Sequence, residues 1–293
     1  MAKIAMNSTT TMLCNIVSDI KIAKQVGFEA VELMADKLFR YENAGFQVES
    51  LLPLLEGMEV MAIGALQNLE RQGDAYQEYL NDVHHYCSVA QKLGAGMVQI
   101  CSGPSDVKTV QDFKAGKIQA GDPRYLGTLG KSEEEVLEIA AGNIAAAADI
   151  AAEYGIELYL EPLAWTPFGK ISQALKVIQM AGKKNVGVVV DLWHLWTMDE
   201  SPEFVASLDR NMIKIVHLCD GLDYDRSTVP DQEILRDVWI GAGDIPIGRY
   251  ISAIKATGYD GWYSTETFCR KGFEKDPVQT AQTLKLTYEY LLD

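Results

Sequence analysis

Val186-Gly-Val-Val-Val-Asp191-Leu-Trp-His194-Leu-Trp196 is an apolar, β-branched run that ends abruptly in an acid and, three residues later, an imidazole. A Val run with no polar alternation is the pattern of a strand buried on both faces, and such strands belong to parallel sheets covered by helices. In those folds ligands bind at the carboxyl ends of the strands. Asp191 and His194 therefore stand where chemistry is expected.

Outward from this stretch, strand-like and helical segments alternate. Apolar runs at Ile4 to Met6, Ala30 to Met34, Val60 to Leu66, Met97 to Cys101, Ile156 to Leu160, Ile213 to Leu218 and Trp262 to Thr265 read as the other strands. Between them lie helical spacings. Ile16, Ile20, Ala23 and Val26 lead into a Gly27 stop, Val48 to Leu55 is helical by spacing, and Tyr76 to Leu93 carries a longer amphipathic stripe. Ser132 caps a helix with acidic residues Glu133 to Glu135 in its first turn. Further helices are predicted at 171–181, from Ser201-Pro202, at 247–257 and at 277–292. Two long segments break the rhythm: 102–131 reads as a lid, and 221–246 as a loop with a short helix around Asp231 to Val238.

Eight strand–helix alternations without a composition break predict an α/β fold, a (β/α)₈ barrel. The expected organisation is one domain over 1–293, with the loops at about 102–131 and 221–246 over the active-site face. An open doubly wound sheet is the alternative. No Gly-x-Gly-x-x-Gly or Walker-type loop is present, which lowers the nucleotide-binding readings.

The totals narrow the function classes. With 48% hydrophobic and 23% charged residues, the chain has ample material for a core. A net charge of −15 opposes a surface that tracks nucleic-acid phosphates, so the expected partner is a small molecule. Five scattered cysteines without Cys-x-x-Cys spacing suggest reduced thiols and a cytoplasmic location. No leader-like or membrane-length apolar stretch appears, so neither secretion nor a membrane is expected. A homo-oligomer is expected, with a partner subunit as the alternative.

The ends of the last four strand segments each supply an acid or an imidazole: Glu161, Asp191 with His194, His217 with Asp220, and Glu266. If these converge, three carboxylates would repel one another unless a cation neutralised them. Two Glu, one Asp and one His drawn from them form a hard oxygen and nitrogen set, suited to Mn²⁺, Mg²⁺ or Co²⁺ rather than to a thiolate zinc site.

Glu161-Pro162, Asp191-x-x-His194, His217-x-x-Asp220, and Gly243-Asp-Ile-Pro246 leading through Gly258-Tyr-Asp-Gly261 to Glu266 together resemble the sugar phosphate isomerase/epimerase family. This is the xylose-isomerase-like barrel superfamily, with ketose 3-epimerases, inosose dehydratases and AP endonucleases among its members. The resemblance spans essentially the whole chain and is strongest from about Glu153 onward. It implies the barrel and a divalent site, Mn²⁺ first, made by Glu161, Asp191, His217 and Glu266. It further implies Glu161 and Glu266 as the pair that exchanges a proton on opposite faces of a keto-sugar or related polyol through a cis-enediolate, with His194 on a substrate oxygen. An arginine after the seventh strand completes such pockets; here the long loop shifts the spacing, and Arg226 is the candidate. Trp165 and Trp193 are candidate walls for a sugar ring, with Trp196 beside them.

Each of these has a plainer reading. A strand-end carboxylate often caps the next helix. His84 and His85 read as surface or packing histidines, Asp220 as a turn cap or outer group, and Glu32 as a group that meets substrate or solvent. The Lys and Arg residues between 108 and 131 read as a solvated loop rather than a phosphate site. Three functions from different classes follow. The leading one is a metal-dependent isomerase or epimerase, with a lyase of the inosose dehydratase type, or β-eliminating cleavage of a 3-keto-sugar derivative, sharing its proton abstraction. An AP-endonuclease-like hydrolase needs more ligands than four histidines allow. A non-catalytic or partner-dependent barrel subunit is the third.

Overall fold

A computed structural model describes residues 2–120, 122 and 127–293. Among them, eight parallel strands close into a barrel in sequential order, with β1 paired to β8. The strands are β1 (Lys3–Asn7), β2 (Ala30–Met34), β3 (Glu59–Leu66), β4 (Met97–Cys101), β5 (Glu157–Glu161), β6 (Val186–Asp191), β7 (Ile213–His217) and β8 (Trp262–Ser264). The helices are α1 (Ile16–Val26), α2 (Ala35–Asn43), α3 (Leu52–Leu55), α4 (Asp74–Leu93), α5 (Val107–Lys114), α6 (Glu133–Glu153) and α7 (Ile171–Ala181). They continue with α8 (Leu192–Thr197), α9 (Pro202–Ala206), α10 (Gln232–Leu235), α11 (Ile247–Ala256), α12 (Arg270–Phe273) and α13 (Pro277–Leu292). The open-sheet alternative is thereby set aside.

The unbroken apolar look of β6 has a two-sided cause. Val188 and Val190 pack outward into the core shared with the helices, whereas Val189 faces inward with Ala5, Ala30, Met61, Ala62, Tyr159 and Ile215. Because side chains alternate along a strand, these residues fill one layer of the barrel interior. The residues two further along then form the next layer. Those residues are Asn7, Glu32, Glu161, Asp191 and His217, and every one is buried. The register sets Asn7 beside Glu32, Cys101 beside Glu161, and Asp191 beside His217. An apolar floor under a polar layer thus follows from period two alone, and each fully buried valine adds about 1.5–3 kcal/mol to it.

Two of the segments that differ from the sequence reading border the active-site face. The lid expected at 102–131 contains α5, which starts where the Asp106 side chain accepts the amides of Lys108 and Thr109. Residues 121 and 123–126 of that segment lie outside the described residues. The second difference is α8, which begins directly at the end of β6, with Asp191 accepting the His194 amide at 2.8 Å. The aromatic and leucine residues that follow the strand hide this turn from a periodicity argument.

Candidate metal and substrate site

Four side chains from four strand ends meet above the apolar layer. Glu161, Asp191, His217 and Glu266 are all buried, and one donor atom of each lies within 4.8 Å of every other. His217 Nδ1 is 3.6 Å from Glu161 Oε1, 3.8 Å from Asp191 Oδ2 and 3.5 Å from Glu266 Oε1. Neither His217 Nδ1 nor Glu161 Oε1 has a hydrogen-bond partner. Buried polar atoms are rarely left unsatisfied. Spacings near 3.5 Å between donors are what bonds of about 2.1 Å to one central ion produce. The donor set therefore fits a divalent cation, and its mixed oxygen and nitrogen chemistry suits a hard or borderline ion.

The remaining oxygens are tied back to the protein. Glu161 Oε2 accepts Gln99 Nε2 at 2.8 Å and the Cys101 thiol at 3.4 Å. Asp191 Oδ1 holds the His194 amide, and the Cys219 thiol lies 3.4 Å from both Asp191 oxygens. Arg236 donates from one nitrogen to Asp191 Oδ2 at 3.2 Å and to Glu266 Oε2. Its guanidinium lies 5.2 Å from the Trp193 ring and 4.3 Å from that of Phe268. On its other ring nitrogen, His217 faces Glu32, with both carboxylate oxygens at 3.1 Å.

These contacts set the charges. Burial among like charges pushes the Glu266 carboxyl up to about 8. Burial acts on Asp191 in the same sense, yet Arg236 and the two histidines outweigh it and hold Asp191 well below the usual carboxylate range. For His217, burial opposes the charged form; Glu32 and Glu266 reverse this and keep the ring protonated well above the ordinary histidine range in the metal-free chain. Burial lowers His194, and its Nδ1 accepts the Ala164 amide at 3.0 Å. A neutral ring that accepts at Nδ1 carries its proton on Nε2.

His194 and Trp165 line a cavity of about 200 Å³ that opens onto Glu161 and Glu266. That is room for roughly six or seven waters. His194 Nε2 stands 4.0 Å from Glu161 Oε1, at the wall of the cavity and outside the donor set. Trp165 donates its indole N–H to Pro104 O at 2.9 Å. Trp193 does not reach the cavity. It is fully buried behind the wall, 4.9 Å ring to ring from His194 and 6.2 Å from Trp165. Arg226 is also placed elsewhere, stacked 4.5 Å from Trp196 and 4.4 Å from Tyr224 with a hydrogen bond to Thr197 O. The arginine in the site is Arg236.

A family model described as xylose isomerase-like TIM barrel matches residues 20–290. The chain belongs to that family. A curated relative, the inosose isomerase of Bacillus velezensis, is 25% identical over 299 residues, covering 98% of this chain and 96% of the relative. A 3-dehydroshikimate dehydratase of Pseudomonas aeruginosa is 22% identical over 274 residues, covering 93% of this chain and 39% of that protein. Among solved structures, IOLI protein with a binding zinc atom superposes with a TM-score of 0.83 at 21% identity, covering 99% of this chain and 98% of the other.

Within this family barrel, the sequence reading missed Arg236, Gln99, Cys101 and Cys219. Gln99 and Cys101 were findable, because they alternate on β4 in the same phase as Glu161 on its neighbour β5. Arg236 had a weaker signal, being the one cation in the short helical segment read at Asp231 to Val238. Its loop is closed at the base by Asp220, whose carboxylate accepts the amides of Gly221, Gly241, Gly243 and Ile245. Asp220 is thus an organiser of that loop and makes no contact with the donor set. His84 and His85 lie on α4, where they meet Tyr154 and Glu42.

Proposed function

We propose that this chain is a divalent-metal-dependent enzyme that enolises a neutral polyhydroxy ketone, as an isomerase or epimerase. The observation that carries the reading is the pair of unpartnered buried donors, Glu161 Oε1 and His217 Nδ1, aimed at one point with Asp191 and Glu266. A divalent ion held by these four residues, Mn²⁺ ahead of Mg²⁺ or Co²⁺, supplies Lewis acidity toward a substrate carbonyl. Glu161, at the end of β5, and Glu266, after β8, both line the cavity and flank the carbon that loses and regains its proton. Glu161 takes the proton from one face of that carbon, and Glu266 returns one on the other face. His194 donates its Nε2–H to a substrate oxygen. Arg236 holds Asp191 and Glu266 in place, while Trp165 and Phe268 shield the reacting carbon from water.

The charge of the cavity speaks for a neutral substrate. Among the described residues that line it, the one permanent cation is Arg236, and both of its acidic partners belong to the donor set. A carboxylate or phosphate would enter beside Glu32, Glu161 and Glu266, and the described lining residues offer it no free cation. The name of the Bacillus relative, inosose isomerase, agrees with this preference. Elimination of water from the same enolised intermediate is the second reading, supported by the dehydratase relative.

The test is hydrogen exchange in deuterated water with Mn²⁺, over a panel of neutral ketoses and inososes set beside carboxylated and phosphorylated ketones. Exchange at the carbon next to the carbonyl in a neutral member, lost in Glu161→Gln, is the expected result; the product mass separates isomerisation from dehydration. No exchange anywhere in the panel, or exchange confined to the anionic members, overturns the proposal.

A further inference from the structure

Glu32 on β2 is separated from His217 on β7 by the two strands β1 and β8, and its carboxylate meets four side chains. Tyr159 OH reaches its Oε1 at 2.6 Å, Asn7 Nδ2 its Oε2 at 2.8 Å, and Ser264 OH donates to Oε2 as well. His217 Nε2 stands 3.1 Å from both oxygens. The donors come from β5, β1, β8 and β7, so side chains from half of the barrel's strands converge on one carboxylate. A carboxylate offers about four acceptor positions. All are taken, so Glu32 borders the cavity without capacity left for a substrate hydroxyl.

The same contact decides which nitrogen of His217 is available. With Nε2 facing a carboxylate, that nitrogen keeps its proton, so the proton given up to a cation comes from Nδ1, which has no hydrogen-bond partner and whose lone pair then points toward Glu161, Asp191 and Glu266. We infer that Glu32 is the positioning residue of the metal site, locking the His217 imidazole in the Nε2–H tautomer and at the one ring angle that presents Nδ1 to the ion. This rests on the reading that Glu161, Asp191, His217 and Glu266 bind a divalent ion. A carboxylate behind a ligating imidazole typically strengthens binding by 10–100-fold.

The experiment uses the full chain loaded with Zn²⁺, which is diamagnetic, and long-range proton–nitrogen correlation of its four histidines, with His217→Asn for assignment. Expected in the unaltered protein is a protonated His217 Nε2 and a metal-bound Nδ1; zinc on Nε2 refutes the inference without any variant of Glu32. Glu32→Gln, titrated with Mn²⁺ and Zn²⁺ by calorimetry, is expected to bind 10–100-fold more weakly while the metal-free protein melts within a few degrees of the parent. Affinity equal to the parent's, or a weakening fully matched by loss of the metal-free fold, overturns the inference. Asp191→Asn run alongside separates the two levels. If that variant binds as well as the parent, the ligand assignment itself has failed, whereas loss there with no effect at Glu32 defeats the positioning role alone.

Discussion

Glu70→Gln should make the protein more stable above neutral pH and leave it unchanged in acid. Glu70 sits in the loop after β3, only 2% exposed. Its Oε2 accepts the Gly103 amide at 2.8 Å, and its Oε1 has no partner. Burial is the dominant influence and pushes the carboxyl up to about 8, from an ordinary value of about 4.5, with only partial relief from backbone amides. The folded chain is therefore the tighter proton binder. Its advantage is full below about pH 4.5, shrinks as the unfolded chain ionises, and is lost by about pH 8. At about 1.4 kcal/mol per pH unit the ceiling is roughly 5 kcal/mol, and about half of that is expected once water entry and relaxation are allowed. Gln keeps an acceptor for Gly103 and cannot ionise, so it removes the pH dependence of this site. Urea unfolding at pH 4.5, 6.5 and 8.5 measures it. The variant should match the parent at pH 4.5 and exceed it by about 2–5 kcal/mol at pH 8.5. Parallel curves for the two proteins would refute the reasoning. The site matters beyond stability, because Gly103 leads into Pro104, whose carbonyl holds the Trp165 wall of the cavity.

Metal binding should release protons at pH 7, since Glu266, raised to about 8, and His217, held protonated well above its ordinary range by Glu32 and Glu266, must give them up to a cation; calorimetry in buffers of different ionisation enthalpy should show this, with affinity falling as pH drops, and buffer-independent heats would contradict it. Arg236→Met leaves Asp191 and Glu266 without their shared cation, and in chelator it should lose about 3–5 kcal/mol by urea unfolding, with part recovered on adding Mn²⁺; equal stability in chelator would count against the pairing. Asp220→Ala removes the acceptor of four amides at the base of the loop that carries Arg236, and turnover should fall about 10–100-fold with metal affinity within a few fold of the parent; a matching loss of metal would show that Asp220 acts on the donor set instead.

What was legible in the sequence was whatever depends on local periodicity. β-branched runs between helical spacings placed the strands, and the residue at which each run stops gave Glu161, Asp191 and His217. Glu266 follows the short run of β8, two residues beyond its last paired position. What stayed hidden depends on contacts across the barrel. Glu32 read as a group facing substrate or solvent, because nothing near it in sequence announces His217, 185 residues away. Arg226 stood in for Arg236 because chain spacing cannot say where a loop of irregular backbone turns back; here the Asp220 carboxylate sets that turn. The expected lid lost its uniform loop character to α5, whose Asp106 cap is a local signal outweighed in the reading by the surrounding Gly and Pro. Helix α2 follows β2 with no intervening loop and no side-chain cap, so no punctuation marks its start.

The central claim is a division of labour at the end of β6: Asp191 binds a metal and His194 does not. Elemental analysis and Mn²⁺ titration of three proteins, the parent, Asp191→Asn and His194→Ala, test it directly. The account predicts one divalent ion per chain in the parent and in His194→Ala, with turnover or substrate affinity lost in the latter, and no tightly bound ion in Asp191→Asn. A parent that binds no ion, or two variants that lose it alike, would contradict it.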